Sequence, residues 1–203
     1  MTEQQNEYKY TTDWFHWAPN IWSEVAKQMP SRKRFLEIGS YEGRSTVWTV
    51  ENMMESGGEI VCVDTWEGGE EHVAQGRDMG EVQKNFNHNI ELLKEKHPDV
   101  TINAYKGTSV YYLTNLFANY GTPFDFIYVD GSHQAPDVLT DACLSWALLK
   151  VGGVMVFDDY GWGEPLPPTH KPKMAIDAFV RVYQEKLHVV HVGYQYIIQK
   201  LKD

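Results

Sequence analysis

Short apolar runs that each end in an acidic residue recur along the chain. The run FLEIG carries Glu37 near its end, IVCVD ends at Asp64, FIYVD ends at Asp130, and VMVFDD ends at Asp158 and Asp159. One acid after a buried strand is common, but a series predicts several strands that present carboxylates at one edge of a sheet. Because helical stretches separate these runs, the pattern predicts an α/β fold with a parallel sheet and helices on both faces.

The succession of elements predicts a single domain over residues 1–203, with residues 1–30 as an N-terminal helical extension. Lys150–Gly153 predicts a turn, Glu67–Gly80 a long polar loop, and His188–Lys200 two strands that form a hairpin near Gly193. The predicted strands are Arg34–Ile38, Ile60–Val63, Thr101–Lys106, Phe124–Val129 and Val154–Phe157, and the predicted helices are Ala18–Met29, Ser45–Met54, Glu81–Lys96, Val110–Ala118, Pro136–Leu149 and Met174–Leu187.

The charge balance argues against a nucleic-acid partner. Lysine and arginine total 18 against 28 acidic residues, a net charge of −10, whereas binding to a phosphate backbone requires a basic surface. Cys62 lies in a predicted buried strand and Cys143 in a helical run, and neither has zinc-type spacing, which predicts two reduced, buried thiols. The sequence has no signal-peptide pattern and no apolar run of about 20 residues. We therefore expect a cytoplasmic protein without membrane partners, and its assembly as a homo-oligomer stays open.

The turn after the first strand, GSYEGRS, carries glycines at positions 39 and 43. Glycines there permit a tight turn and a close approach of the backbone to a ligand. Dinucleotide-binding folds carry GxGxxG at this place, whereas this loop has GxxxG. The loop instead resembles motif I of the class I methyltransferases that use S-adenosylmethionine (SAM). The alternative is a glycine turn that binds nothing, since such turns follow strands in many α/β proteins.

This resemblance implies a Rossmann-like, doubly wound, mostly parallel seven-stranded sheet with a C-terminal antiparallel hairpin, and SAM bound at the carboxyl ends of its strands. Asp64 would accept hydrogen bonds from the ribose hydroxyls, and Thr108 or Ser109 would bond the adenine edge or the ribose. Trp66 either covers the adenine or packs under a loop. The implied cofactor-binding residues are Glu37, Gly39, Ser40, Tyr41, Gly43, Ser45, Asp64, Thr65, Trp66, Thr108, Ser109 and Asp130.

The stretch from Phe35 to Tyr160 is similar to catechol O-methyltransferases and their small bacterial relatives. Its glycine loop has their form GxYxGxS. Where the catechol enzymes have a lysine base, this chain has His133, which resembles sugar and macrolide O-methyltransferases in which histidine is proposed as the base. The resemblance also implies a metal site at two strand ends, made of Asp130, Asp158 and Asp159.

The chemistry of these acids is consistent with a metal site. Crowded carboxylates repel one another unless a cation neutralises them, and oxygen ligands favour Mg²⁺, with Mn²⁺ or Ca²⁺ as alternatives, over zinc. A dication lowers the pKa of a bound alcohol, and His133 titrates in the range that suits a base for its proton. Each residue also has a simpler role open to it: Asp130 as an acid near the methyl donor whether or not metal binds, Asp158 and Asp159 as a turn or cap pair, and His133 as a helix cap.

We therefore expect a SAM-dependent, divalent-metal-dependent O-methyltransferase that acts on a small hydroxylated acceptor such as a sugar, a polyol or a catechol-like ring. The alternatives are a metal-independent SAM methyltransferase and a SAM-fold binding protein with lost or changed chemistry. A DNA base methyltransferase is disfavoured, because the fourth strand ends in VDGSH and lacks an (N/D)PP(Y/F) motif. Candidate acceptor walls are Trp14, Phe15, Trp17 and Trp22 on one side, with packing in the core favoured for Trp22, and Tyr160, Trp162, Pro165, Pro167, Pro168 and His170 on the other.

Overall fold

A seven-stranded sheet forms the centre of the computed structural model, which describes residues 7–120, 124–163 and 165–203. Its strands are β1 (Arg34–Ile38), β2 (Glu59–Asp64), β3 (Thr101–Lys106), β4 (Phe124–Val129), β5 (Leu149–Phe157), β6 (Leu187–Val192) and β7 (Tyr196–Lys200). They lie in the order β3-β2-β1-β4-β5-β7-β6. The first five are parallel, and β7 pairs antiparallel with both β5 and β6. This confirms the predicted doubly wound sheet and its C-terminal hairpin.

Helices cover both faces of the sheet because successive strand residues point to opposite sides. Phe35 packs in one apolar core with Trp22 and Phe86, whereas Leu36 packs in the other core with Trp146 and Phe179. Among the helices in the described parts of the chain, none is long and apolar enough to cross a membrane. The helices are α1 (Ala18–Gln28), α2 (Arg44–Asn52), α3 (Glu70–Ala74), α4 (Met79–Lys96), α5 (Ser109–Tyr120), α6 (Ala135–Leu148) and α7 (Pro172–Tyr183).

The junction between α6 and β5 differs from the predicted turn. Lys150–Gly153 belongs to β5, and the pairing register with β4 shifts between Phe124 and Phe126. A Cβ on Gly153 would lie 3.0 Å from the Asp125 carbonyl oxygen, so the two chains run close together at this bulge. The glycine pair that resembles a turn in the sequence therefore permits a tightly packed, irregular start of a strand.

Three other local predictions need correction. The polar loop Glu67–Gly80 contains the short helix α3, and α7 ends at Tyr183, so that Leu187 opens β6 instead of closing a helix. Cys62 is buried as predicted, but Cys143 is exposed, because it lies on the outward face of α6.

The segment before α1 runs beside α4 and is held there by polar side chains. The Lys9 amide donates to Asn89 Oδ1 (2.7 Å), and Asn89 Nδ2 donates back to the Lys9 carbonyl (2.8 Å). The Thr11 amide donates to Glu42 Oε2 at 2.7 Å. Because Glu42 lies in the glycine loop after β1, these bonds fix the N-terminal segment to the edge of the sheet where the parallel strands end.

Candidate active site

A cavity of about 1090 Å³ opens at the carboxyl ends of the parallel strands. β1 has β2 on one side and β4 on the other, so the order of the strands reverses at this point. Doubly wound sheets bind their ligands at such a reversal. The predicted cofactor-binding residues that line the cavity are Gly39, Tyr41, Asp64, Thr65, Thr108, Ser109 and Asp130.

Gly39 lets the loop after β1 touch the end of β4. Its φ is +83°, and a Cβ built on it would lie 1.8 Å from the carbonyl oxygen of Asp130. The two strand ends are joined there by a hydrogen bond from the Asp130 amide to the Ile38 carbonyl, at 2.8 Å. Only glycine fits this position. The glycine loop and the first acid of the predicted metal site are therefore in direct contact.

Asp64 fixes the loop and keeps one acceptor position for a ligand. Its Oδ2 accepts from the amides of Ser40 (2.8 Å) and Tyr41 (2.9 Å), and its Oδ1 accepts from the Trp66 amide (2.6 Å). A carboxylate offers about four acceptor positions, so the protein occupies three of them. The carboxylate can thus accept a further hydrogen bond from one hydroxyl at Oδ1.

Glu37 lies behind the loop and not in the cavity. Only 3% of its surface is exposed, and its carboxylate accepts hydrogen bonds from the Thr46 and Ser45 hydroxyls. Burial raises the pKa of Glu37, and these hydrogen bonds oppose the shift. Since Ile38 continues the strand, the Glu37 side chain faces α2 and ties its first turn to β1. Three further predicted cofactor-binding residues also do not line the cavity: Ser40, Gly43 and Ser45.

Trp66 packs under the loop and does not cover a ligand. It is 5% exposed, its ring lies 4.6 Å from that of Phe86, and its Nε1 donates to the Tyr41 carbonyl at 2.9 Å. Of the two roles that the sequence left open, the structure therefore favours packing. Trp66 is the fifth predicted cofactor-binding residue that does not line the cavity.

Three side chains at the ends of β4 and β5 offer potential metal-ligand atoms that lie close together. Atoms of Asp130, His133 and Asp159 lie within 4.8 Å of one another. His133 Nε2 is 2.8 Å from Asp159 Oδ2, and the Tyr194 hydroxyl donates to Asp159 Oδ1 at 2.6 Å. The backbone of Asp159 has a φ of 56°, in the left-handed region that residues other than glycine adopt only uncommonly. This compact group contains His133 in the place where the sequence suggested Asp158.

Asp158 is linked to this group through the hydroxyl of Tyr128. That hydroxyl contacts Asp130 Oδ2 at 2.8 Å and also Asp158 Oδ2. A hydroxyl has one proton and can donate to only one of the two carboxylates, so the other requires a proton of its own or a cation. Burial, followed by the neighbouring carboxylates, raises the pKa of Asp130 and raises that of Asp158 to about 6. The carboxylate oxygens and the uncompensated negative charge of this group therefore fit a hard divalent cation.

A comparison with protein families then decides where this fold belongs. The model of a family described as a methyltransferase domain matches residues 36–160, from β1 to just after the acidic pair. The chain belongs to this family. The matched region holds the glycine loop together with Asp64, Asp130 and Asp158, and its fold is that of the class I SAM-dependent methyltransferases. A comparison with curated protein sequences finds no match.

Solved structures with the same fold include several O-methyltransferases. An O-methyltransferase from Bacillus cereus in complex with SAH has a TM-score of 0.69 at 18% identity, over 100% of this chain and 92% of that one. TomG from Streptomyces achromogenes, involved in tomaymycin synthesis and bound to SAM, has a TM-score of 0.65 at 18% identity, over 92% and 80%. MycE from the mycinamycin biosynthetic pathway, bound to Mg and SAH, has a TM-score of 0.62 at 19% identity, over 96% of this chain and 51% of MycE.

The N-terminal segment gives this methyltransferase an aromatic cavity wall. The Trp14 ring, 49% exposed, lies 5.1 Å from Tyr41 and 5.9 Å from His72, and the Tyr41 and His72 rings stack at 5.4 Å. Of the residues predicted for this wall, Trp14 and Trp17 line the cavity, whereas Phe15 and Trp22 are buried in the core. Core packing, favoured for Trp22 from the sequence, is thus confirmed.

The segment after the acidic pair forms part of the opposite wall. Trp162, Pro165 and His170 line the cavity, but Tyr160, Pro167 and Pro168 do not. The Trp162 ring lies 4.5 Å from His133.

Sequence reasoning missed several residues that shape the site. Tyr128 precedes Asp130 by two positions and therefore shares its face of the strand, a signal that was present in the sequence. Gln195 carries no such signal: its Nε2 donates to Asp158 Oδ2 at 3.2 Å, and its Oε1 accepts from Trp22 Nε1 at 2.8 Å. Both contacts depend on how the C-terminal hairpin docks. The buried acid Asp141 also lines the cavity.

Proposed function

We propose that the protein is a SAM-dependent O-methyltransferase that requires a divalent cation and methylates a hydroxyl of a small molecule. The observation that carries this proposal is the contact between Gly39 and Asp130. It places the loop that would seat the methyl donor against the acid group that would hold the cation. Donor and acceptor would therefore meet within one cavity.

The donor would lie along the ends of β1 and β2. The free acceptor position on Asp64 Oδ1 suits one ribose hydroxyl. Thr108 and Ser109 line the cavity after β3 and offer hydroxyls further along the same edge. The Bacillus cereus enzyme bound to SAH and TomG bound to SAM have this fold, which supports the choice of donor.

A divalent cation would be held by Asp130 and Asp159 with Asp158 beside them, and Mg²⁺ is the first candidate because MycE is bound to Mg. When bound, such a cation lowers the pKa of a coordinated hydroxyl. Tyr128 and Gln195 hold the carboxylates of this group in position through their hydrogen bonds. Positioning of this kind affects metal affinity in many metalloproteins.

His133 would take the proton from the acceptor hydroxyl. Asp159 lies 2.8 Å from its Nε2, orients the ring and stabilises the imidazolium that forms. The hydroxyl oxygen then bonds to the methyl carbon as the bond from that carbon to sulfur breaks, and much of the acceleration comes from alignment of the two.

The lining charges favour an acceptor without negative charge. Eight carboxylates line the cavity, and its described lining residues include no lysine or arginine. An anionic acceptor would be repelled, whereas a neutral sugar, polyol or catechol-like ring would not. The exposed face of Trp14 and the ring of Trp162 suit stacking on a flat or cyclic acceptor. Mycinamycin VI in a MycE complex is one small molecule bound by a protein of this fold.

Calorimetry and a transfer assay test the proposal. SAM should bind with or without Mg²⁺, and transfer of a labelled methyl group to catechol or sugar acceptors should require Mg²⁺. Asp158→Asn should weaken Mg²⁺ binding and remove most of the activity but leave SAM affinity within about twofold. Asp177→Asn, at an exposed position on α7, serves as the control. Absence of SAM binding would refute the donor assignment, and full activity of Asp158→Asn would refute the metal assignment.

A metal-independent methyltransferase is the second candidate, and the contact between His133 Nε2 and Asp159 Oδ2, at 2.8 Å, favours it. A histidine oriented by a carboxylate can act as a base without a cation. Activity that survives exhaustive chelation, and that His133→Gln abolishes, would select this alternative.

A further inference from the structure

Two overlapping sets of potential metal ligands lie at the ends of β4 and β5, and Asp130 and Asp159 belong to both. The oxygen set adds Asp158, which is joined to Asp130 through the Tyr128 hydroxyl. The mixed set instead adds His133, and one ligand atom from each of its three residues lies within 4.8 Å of the other two. The two sets therefore share two carboxylates and differ in whether the third ligand is an oxygen or an imidazole nitrogen.

Divalent cations differ in which of these sets suits them. Carboxylate and water oxygens suit Mg²⁺, whereas imidazole nitrogen suits Zn²⁺, which also accepts carboxylate oxygens. Mg²⁺ in the oxygen set would not bind the imidazole of His133, which keeps its lone pair for the acceptor proton. Zn²⁺ is usually tetrahedral, and catalytic zinc sites take three ligands from the protein. The mixed set supplies three such ligands, and one of them is a histidine.

The spacing of the mixed set suits a zinc ion. At zinc–ligand distances of about 2.0–2.2 Å, two ligand atoms of a tetrahedral site lie about 3.4 Å apart. His133 Nε2 and Asp159 Oδ2 are 2.8 Å apart and both side chains are mostly buried, so these atoms need to separate by only about 0.6 Å. The Tyr194 hydroxyl holds the other oxygen of Asp159 at 2.6 Å, and the Trp162 ring lies 4.5 Å from that of His133. The ligands are therefore already oriented before an ion enters.

We propose that Zn²⁺ binds to Asp130, His133 and Asp159 and thereby inhibits the methyltransferase; this inference rests on the proposed function. The ring binds zinc as neutral imidazole through the Nε2 lone pair, and any proton beyond the one that neutral imidazole carries is released to solvent. Neutral imidazole has only this one lone pair for a proton, so His133 can no longer act as the base. Zinc also occupies Asp130 and Asp159, so Zn²⁺ and Mg²⁺ exclude each other.

Calorimetry with Zn²⁺ and with Mg²⁺ tests the ligands. Wild type should bind Zn²⁺ at least about tenfold more tightly than Mg²⁺. His133→Gln should weaken Zn²⁺ binding at least about tenfold and leave Mg²⁺ affinity within about threefold, because only the mixed set loses a ligand. The matched control is His170→Gln, since His170 lines the same cavity but does not belong to the mixed set. Its affinity for both ions should equal that of wild type, and urea unfolding shows that each variant is folded.

A transfer assay tests the inhibition. One equivalent of Zn²⁺ should abolish methyl transfer by the Mg²⁺-loaded wild type, and a chelator followed by fresh Mg²⁺ should restore it. If the zinc-loaded protein transfers methyl groups as fast as the Mg²⁺-loaded protein, zinc does not take the base and the inference is wrong.

The binding outcomes separate this inference from the function on which it rests. If wild type binds Mg²⁺ but binds Zn²⁺ no more tightly, or if His133→Gln keeps its Zn²⁺ affinity, the inference is overturned and the proposed function stands. An equal loss of affinity for both ions in folded His133→Gln also overturns it, because the two ligand sets would then not be distinct. If wild type binds neither ion, the cation assignment itself is wrong and the inference falls with it.

Discussion

Replacement of Gly39 by alanine tests the contact on which the site is built. The added Cβ would lie 1.8 Å from the Asp130 carbonyl oxygen and 2.4 Å from its carbon, and no real Cβ approaches closer than about 3.0 Å. The obstacle is backbone of β4 and not a mobile side chain. The strand end must therefore retreat by about 1 Å, which pulls the Asp130 amide away from the Ile38 carbonyl.

The cost can be assembled from three parts. The positive φ of Gly39 costs a residue with a Cβ about 1–2 kcal/mol. Overpacking against rigid backbone costs about 1–3 kcal/mol, and the hydrogen bond between Asp130 and Ile38 is worth about 1 kcal/mol. We expect Gly39→Ala to lower the free energy of unfolding by about 4 kcal/mol, which ranks among the large effects of single substitutions.

Two other glycines separate these parts. Gly76 has a φ of +65° and nothing within 4 Å of a built Cβ, and Gly163 has neither a positive φ nor a close neighbour. Gly76→Ala should cost about 1–2 kcal/mol from φ alone, and Gly163→Ala should change stability by less than about 0.5 kcal/mol. Urea unfolding followed by tryptophan fluorescence measures all three. If Gly39→Ala costs no more than Gly76→Ala, the close contact between the two strand ends is not real.

Three further substitutions test other parts of the structure. Asp125→Asn should lower the free energy of unfolding by about 2–4 kcal/mol near neutral pH. Burial alone would raise the pKa of Asp125, but hydrogen bonds from Lys150 and from backbone amides lower this pKa below 3.8. The difference from wild type in urea unfolding should therefore shrink as the pH falls through that lowered pKa, and a difference that stays constant would contradict this. Asn89→Ala removes the bonds to the N-terminal segment and to the Glu42 carbonyl, and should speed proteolysis before α1; unchanged cleavage would count against the anchoring. Tyr128→Phe should weaken Mg²⁺ binding at least about tenfold in calorimetry with SAM affinity preserved, and unchanged Mg²⁺ affinity would remove Tyr128 from the cation site.

The acids at strand ends show which part of the site the sequence can predict. Asp64 is the last residue of β2, and Asp130 and Asp158 directly follow β4 and β5. Their side chains reach the cavity because the chain leaves the sheet there. The sequence pattern groups Glu37 with them, but Ile38 still belongs to β1, and Glu37 pairs in register with Cys62 and Tyr128 inside the sheet. Position relative to the final strand residue, and not mere proximity to it, decides whether an acid lines the cavity.

Contacts set by tertiary packing could not be predicted in this way. The pairing of Lys150–Gly153 with β4 depends on a bulge that forms only when the two chains meet, so the glycine pair predicted a turn. Gln195 reaches Asp158 only after the hairpin has placed β7 beside β5. Local periodicity contains no information about either partner. Local sequence patterns therefore predict where the carboxylates lie, whereas groups that orient them, such as Gln195, come from distant parts of the chain.

The carboxylates of Asp130, Asp158 and Asp159 reduce the stability of the fold, and this cost points to a function. Asp130 and Asp158 share one hydroxyl proton, burial raises the pKa of both carboxyls, and Asp159 has a positive φ, which residues other than glycine adopt only uncommonly. Asparagine at any of these positions would relieve charge repulsion, and at position 159 it would tolerate the positive φ as aspartate does. A chain shaped by stability alone has no reason to keep all three acids here, since strain and repulsion of this kind persist where a ligand or reaction requires them. The proposed cation would relieve the repulsion without any change of sequence, and on that proposal the carboxylates and their orienting partners form one site that binding completes.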